Sequence, residues 1–260
     1  MDEKVALLEH REVIKESDIF IKTDKAKAIR AAILIIKYHR NHLEEYIAKH
    51  PDFLTTLIPI KIEEDAPEII KIMAEAAEIA DVGPMAAVAG ALADLGVKQM
   101  VKMGAKVAIL EDGGEIAGVS NVPINIGIFA GYSPLSGKIG FRLHIEDFPI
   151  GIATSSGTVG HALSFGEADA ATILANNATL ADAAATAVCN EVKGIDFEKS
   201  IQNGLEKAET IDGIRGALII RGKFAGIVGK LPQLLKIVGD SWKTLTERYS
   251  NVLPPDFTIL

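Results

Sequence analysis

Cysteine is nearly absent from this chain: Cys189 is the only one in 260 residues. A single thiol rules out any intrachain disulfide, and its place among small helical residues suggests inert packing. Aromatic residues are scarce at 5%, with one tryptophan, Trp242. Basic clusters interleaved with aromatics are missing and the formal net charge is −8, which argues against a nucleic-acid partner. Long hydrophobic runs are missing as well, since stretches such as Ala31 to Ile36 are far too short to span a bilayer. The N-terminus, MDEKVALLEHREV, has no apolar signal core and no lipoprotein-type cysteine. These absences predict a cytoplasmic protein without a membrane partner.

What is present is ordinary for a globular protein: 48% apolar and 24% charged residues, tilted toward Ala and Ile. The length allows one large domain or two intimately packed halves, and we place a single domain at residues 1–240 with a C-terminal tail at 241–260. Alternation on both sides of Glu16-Ser17-Asp18 predicts a β-hairpin over Arg11 to Asp24. Lys25 to His50 reads as a helix with an apolar stripe at Ile29, Ala32, Ile33 and Ile36. His39 and His42 lie within it at i, i+3, and the neighbouring charges favour a solvated face over a metal site. Leu57 to Glu63 reads as a short strand, and Ala66-Pro67-Glu68 opens a helix that runs to Ala80.

Gly83-Pro84 is a turn, followed by a helix of small residues to Met103. Strands are expected at Ala105–Leu110, Ile124–Ala130, Lys138–Ile145, Pro149–Ala153 and Ala168–Ala175. An amphipathic helix is expected at Asp196–Ala208 and a strand at Gly216–Arg221. Lys223 to Asp240, with four glycines and Pro232, reads as a loop or broken helix. A weak two-fold repetition of strands, helices and strands runs through the two halves.

The stretch with the densest chemistry is Gly151 to Asn190. Thr154, Ser155, Ser156, Gly157 and Thr158 form a hydroxyl-rich and glycine-rich loop, suited to presenting backbone N–H groups to a ligand. His161 follows, near enough to neutral pKa to serve as a base or phosphate donor, or else a polar residue satisfied within the fold. Asp182 and Thr186 stand four apart on one helical face. Thr179 and Asp182 also fit a capping box, so the carboxylate has a structural reading beside the functional one. Asp112-Gly113-Gly114-Glu115 reads as a hairpin turn or as part of a ligand site, its carboxylates suited to a metal or to ribose hydroxyls.

These motifs resemble those of a known family. Ala181 to Ala187, ADAAATA, is similar to the metal-binding helix of the ApbE-type flavin transferases, and Thr154-Ser155-Ser156-Gly157 resembles their TSG loop. A closer likeness is to the ApbE-like UPF0280 group, through GPMAAVAGA at Gly83 to Ala91 and GTVGHALSFGEAD at Gly157 to Asp169. The resemblance implies an α+β fold of two related halves, each an antiparallel sheet backed by a helix pair. It implies Mg²⁺ on Asp182 and Thr186, assisted by a carbonyl at Gly83-Pro84, and FAD or FMN beside Asp112, Gly113 and Gly114. His161 would be the catalytic residue.

Departures from the transferase pattern stand out, among them Glu115 where the family has an aspartate. Ala86 and Ala87 replace a lysine, Asp112 replaces an asparagine, and Ala162 to Gly166 replace an Asp-Pro-x-Thr-Gly segment. Two readings follow: a Mg²⁺-dependent transferase acting at the FAD pyrophosphate, or a non-catalytic accessory protein keeping the nucleotide pocket. The resemblance ties the second to sulfide assimilation and homocysteine formation in archaea, and leaves room for a protein partner and for oligomers.

Overall fold

The computed structural model describes residues 7–158, 164–238 and 250–253. The chain begins with the expected hairpin, β1 (Leu8–Ile14) and β2 (Ser17–Thr23), turned at Lys15 in the left-handed region, φ 54°. Helix α1 (Ala26–Lys49) follows, then a short turn of helix α2 (Asp52–Thr55) and α3 (Glu68–Ala80). A 3-10 turn (Pro84–Ala87) leads into α4 (Val88–Lys102). Strands β3 (Val107–Asp112), β4 (Glu115–Ser120), β5 (Ile124–Gly127), β6 (Ile139–Leu143), β7 (Ile150–Ser155) and β8 (Ala170–Ala175) come next. The chain continues with α5 (Ala178–Glu191), α6 (Phe197–Glu209), β9 (Ile214–Arg221), β10 (Phe224–Gly229) and β11 (Gln233–Lys236).

Eight strands form one antiparallel sheet in the order β1-β2-β3-β4-β7-β8-β9-β10. The N-terminal half supplies the first four and the C-terminal half the last four. They join edge to edge through three register pairs, Ile116 with Ile152, Ala117 with Gly151 and Gly118 with Ile150. The expected pair of sheets is thus one continuous sheet, with α4 packed on β3 and β4, α5 on β7 and β8, and α6 on β9 and β10. A smaller sheet, β11-β6-β5, covers the other face.

The central strands are apolar on both faces because both faces are covered. Ile19, Ile21, Ala108, Leu110, Ala171 and Ile173 enter the core beneath the helices. Phe20, Val107, Ile109, Ala170 and Leu174 enter the core beneath the small sheet. Successive residues alternate between the two, as the period-2 pleat requires. Each fully buried Ile or Leu contributes roughly 1.5–3 kcal/mol relative to an exposed one.

The structure departs from expectation in three places. Leu57 to Glu63 forms no strand but an irregular connection, held by Tyr46, whose hydroxyl donates to Glu63 Oε2 at 2.5 Å. Within Lys223 to Asp240, the described residues form β10 and β11, because the glycines serve close packing and turns: Gly226 packs under Leu205 and Gly229 takes φ 75°. His39 is buried, 4% exposed, on the core side of α1 rather than on a solvated face. His42 donates from Nδ1 to the Tyr38 carbonyl at 3.1 Å, so the two histidines do not act as a pair.

Among the described residues no single helix is long and apolar enough to cross a membrane. The one bent pair that passes by length and composition, Glu68–Ala80 with Pro84–Lys102, turns by 104° and lies within the helical layer.

Candidate functional site

Two helices built of small residues define the site. Alanine and glycine on α4 and α5 let the backbones approach closely, and Gly90 is the contact point. A Cβ there would lie 2.2 Å from the Ala178 carbonyl oxygen and 2.9 Å from Asp182 Cβ, so no larger residue fits without moving α5. Across this contact each helix caps the other. Asp182 of α5 accepts from the backbone N–H of Gly90 at 2.9 Å, in the first turn of α4. Asp94 of α4 accepts from the N–H groups of Ala178 (3.0 Å) and Thr179 (2.8 Å) and from the Thr179 hydroxyl (2.6 Å), at the start of α5. Orphan donors at both helix N-termini are thereby satisfied.

The local capping box over Thr179 and Asp182 is therefore not formed. The residue that caps α5 from its own chain segment is Asn177, whose side chain accepts from Leu180 N–H at 2.8 Å. Asp182 is a cap, but for the neighbouring helix.

On the outer side of this contact a cavity of about 350 Å³ opens, lined by Asp182, Thr186 and Asn190, one per turn of α5, together with Gly83, Ala86 and Glu115. Its rim is apolar: Leu54, Leu57 and Phe165 are each about half exposed. Beside it lies a second cavity of about 450 Å³, sharing Val88, Ala89 and Glu115 with the first. The second is lined by Asp112, Gly113, Gly114, Thr154, Ser155, Ser156, and also Ser17, Arg40, Phe129 and Asn251. The turn that carries the carboxylates is a two-residue hairpin, Gly113 at φ 67° and Gly114 at φ 128°, conformations that glycine adopts readily.

Of the residues expected at the site, Gly83, Asp112, Gly113, Gly114, Thr154, Ser155, Ser156, Asp182 and Thr186 line this double cleft. Pro84 is buried at the first position of the 3-10 turn, beside but not among the lining residues. Gly157 and Thr158 are not among the residues that line it. Gly157 N–H donates to the Ala168 carbonyl at 3.0 Å, and the Thr158 hydroxyl donates to Asp169 Oδ1 at 3.0 Å. These two hold the loop in place. His161, like Trp242, lies outside the described residues.

The electrostatics of the cleft are unusual. Burial pushes Asp112 up to about 6, against the opposing effect of the nearby Ser17 hydroxyl and the Arg40 charge. Glu115 is raised well above the ordinary carboxylate range, by burial first and then by the charges of Asp182 and Asp112. Asp182 is raised too, by burial first and against the Gly90 N–H bond, with Asp112 adding repulsion. Among the described residues no lysine or arginine lines the cavity that holds Asp182 and Thr186. A set of mutually repelling carboxylates of this kind suits a hard divalent cation. No three histidine, cysteine or carboxylate side chains among the described residues already converge as a metal site. A cation bound here would need oxygens from hydroxyls, backbone and ligand in addition to Asp182.

Next to the cleft, Glu111 anchors the segment 250–253. Its carboxylate accepts from the Ser250 hydroxyl at 2.6 Å and the Asn251 N–H at 2.9 Å, and burial raises it to about 7. Gly127 N–H donates to the Asn251 carbonyl at 2.8 Å, and Val252 bridges to Ile126. Arg40, Ser17, Asn251, Asn190 and Asp94 escaped the sequence reading. For Asn190 the i, i+4, i+8 series with Asp182 and Thr186 was a usable signal. Asn251 comes to the cleft only through long-range docking.

The chain and its fold have counterparts. A family model described as "AbpE bacteria" matches residues 6–213. A UPF0280 protein of Methanocaldococcus jannaschii is 47% identical over 228 residues, covering 87% of this chain and 92% of that one. A UPF0280 protein of Methanopyrus kandleri is 41% identical over 232 residues, covering 88% and 93%. Among solved structures, the ApbE protein of Thermotoga maritima aligns with a TM-score of 0.56 at 14% identity, over 88% of this chain and 97% of that one. The flavin transferase ApbE of Vibrio cholerae aligns with a TM-score of 0.54 at 11% identity, over 92% and 99%. At such identities the two structures speak for the fold alone.

Proposed function

The chain belongs to the UPF0280 family and has the ApbE fold, and from that membership we propose that its double cleft binds a flavin nucleotide together with Mg²⁺. The observation that carries this reading is the meeting, in one cleft, of Asp182 and Thr186 from α5 with Glu115 and Asp112 from the β3–β4 turn. Asp182 and Thr186 would hold the ion. When bound, the ion would neutralise charge on a pyrophosphate and favour attack there by an acceptor hydroxyl. Asp182 is positioned for this by Gly90, which ties the carboxylate to the first turn of α4. Thr154, Ser155 and Ser156, at the end of β7, offer hydroxyls and backbone to the ligand's polar groups. The apolar rim of Leu54, Leu57 and Phe165 excludes water from the cavity mouth.

A second reading, binding without turnover, is favoured by one observation: Ala86 lines the cavity where the transferase pattern carries a lysine, and among the described residues no basic side chain lines that cavity in its place. Incubation with FAD, Mg²⁺ and a domain bearing an acceptor threonine separates the two. Release of AMP with FMN on the acceptor is the transferase outcome. FAD binding without AMP release is the accessory outcome, and no binding of FAD with Mg²⁺ rejects both.

A further inference from the structure

The eight-stranded sheet ends on two unlike strands. At one edge β1 carries charged side chains of both signs, among them Arg11, paired with Asp18, and Glu12, paired with Lys37. Charges on an edge strand discourage the addition of a further strand. At the other edge β10, FAGIVG, has no charged side chain, and among the described residues no strand pairs with its outer side. The register shows which backbone groups are on offer there. Phe224 stands opposite Arg221, and in the same register the Lys230 N–H donates to the Arg215 carbonyl at 2.7 Å. Even-numbered residues therefore bond inward to β9, and Ala225 and Ile227 turn their N–H and C=O groups outward. The side chain of Ile227 lies on the face away from α6, opposite the buried Leu218, and is 54% exposed.

The helix face of the same edge is acidic. Gly204 of α6 packs toward Ile219 of β9 and Val188 of α5, whereas Ile201 and Leu205 pack on Gly226 of β10. At about 100° per residue, the positions that follow Leu205 around the helix, away from α5, are Glu198, Glu209, Gln202 and Glu206. All four are exposed. Among the described residues the three glutamates form no ion pair, and Glu206 only accepts from the Gln202 amide at 3.1 Å. The lysines nearest β10 along the chain, Lys223 and Lys230, flank it at its two ends. Antiparallel pairing of this edge with a second copy of itself would bring α6 beside α6 and set these glutamates against each other. A segment of opposite charge meets no such repulsion.

We infer that the outer edge of β10 is a docking site for an extended, basic segment of a partner protein, added to the sheet as a further strand. The backbone of that segment bonds the outward groups of Ala225 and Ile227. Because side chains alternate across a strand, one set lies beside Ile227 and is apolar, and the other lies beside α6 and carries lysine or arginine toward Glu198, Glu206 and Glu209. Backbone bonds supply the affinity, and the alternation of basic and apolar residues supplies the selectivity. The net charge of −8 draws such a segment toward the chain. None of these residues lines the double cleft, so the inference stands apart from the nucleotide reading.

The test uses short fluorescein-labelled peptides on the full chain, read by anisotropy. A peptide alternating lysine and valine is expected to bind at least about tenfold tighter than one alternating glutamate and valine, and to weaken as salt rises. Methylating every backbone nitrogen of the lysine–valine peptide keeps its charges, removes its donors and should abolish binding. Ile227→Lys, and separately Glu198→Lys combined with Glu209→Lys, should each weaken it at least about tenfold. The peptide comparisons on the unaltered protein do not depend on how either variant folds. Failure of the lysine–valine peptide to bind, or binding that survives methylation or both variants, overturns the assignment. A dimer in sedimentation that Ile227→Lys dissociates overturns it as well, because the edge then belongs to a second copy.

Discussion

Asp94 and Asp182 cap each other's helices: each carboxylate accepts from backbone N–H groups in the first turn of the helix that carries the other. The two differ in surroundings. Asp94 has its carboxylate bonded by Ala178 and Thr179 and borders a separate cavity with Glu68 and Lys98, whereas Asp182 lines the cleft beside Glu115. The same structural task is thus performed by two aspartates, only one of which faces the proposed ligand.

That difference separates capping from binding. Replacement of either aspartate by alanine should cost about 1–2 kcal/mol of stability, on the scale of lost caps. Asp182→Asn keeps an acceptor for Gly90 and removes a repelling charge, so its melting temperature should match or exceed that of the unaltered protein. Its Mg²⁺-dependent affinity for FMN should nonetheless fall at least about tenfold. Asp94→Asn should leave that affinity within about twofold. Calorimetry with and without Mg²⁺, beside thermal melts, reads both quantities. Equal affinities for the unaltered protein and Asp182→Asn would reduce Asp182 to a cap.

The raised carboxylates also set a direction for stability against pH. For Asp112 and Glu111 the folded state holds the proton to about 6 and about 7, whereas the unfolded chain releases it near 4. The native state then binds more protons than the unfolded state across that window, so stability falls as pH rises from about 4 toward 7 and levels off above. Glu115 and Asp182 act in the same direction and extend the decline upward. His39, lowered by burial, opposes it below its unfolded value of 6.5, and Glu68, held low chiefly by Lys98, limits stability at the acid end. Without Mg²⁺ and nucleotide, the protein should melt several degrees lower at pH 8 than at pH 6. Adding Mg²⁺ with FMN should raise the melting temperature more at pH 8. A ligand-free protein more stable at pH 8 than at pH 6 would contradict the assignment of these shifts.

Glu111 gives a third expectation. Its carboxylate is what the Ser250 hydroxyl and the Asn251 N–H bond to, so Glu111→Ala leaves those donors unmatched and should loosen segment 250–253. Limited proteolysis should then cut near residue 250 faster by about tenfold, with a loss of roughly 1–3 kcal/mol in stability. Because Asn251 lines the second cavity, FMN affinity should drop as well. Unchanged cleavage would place the anchoring of this segment in the Ile126–Val252 bridge and the backbone bonds of Gly127 and Leu253.

Local patterns made much of this legible. Alternation marked the first hairpin, the 3.6-residue period marked α1 and α6, the Pro67-Glu68 start marked α3, and the Asp182–Thr186 spacing marked one wall of the cleft. The misreadings share a physical origin. β10 was hidden because its glycines look like loop residues, whereas Gly226 lets Leu205 and Ile201 of α6 pack against the strand and Gly229 ends it at positive φ. The segment after Pro51 has strand-like apolar residues, Leu57 and Ile58, that are exposed on an irregular connection. Asp182 fitted a local capping box, yet its N–H partner lies 92 residues earlier in the chain. Arg40, Ser17 and Asn251 were illegible because nothing local distinguishes a polar residue facing a cavity from one facing solvent.

The seam between β4 and β7 has only three register pairs, and the cleft straddles it. Glu115 opens β4 on one side, and Thr154 and Ser155 close β7 on the other, with Asp182 behind them. A molecule seated there touches both halves of the chain and acts as a rivet through the narrowest join in the sheet. Its effect on the protein would therefore reach beyond the residues that it contacts: a ligand bound across this join ties two four-stranded panels into a single cooperative unit.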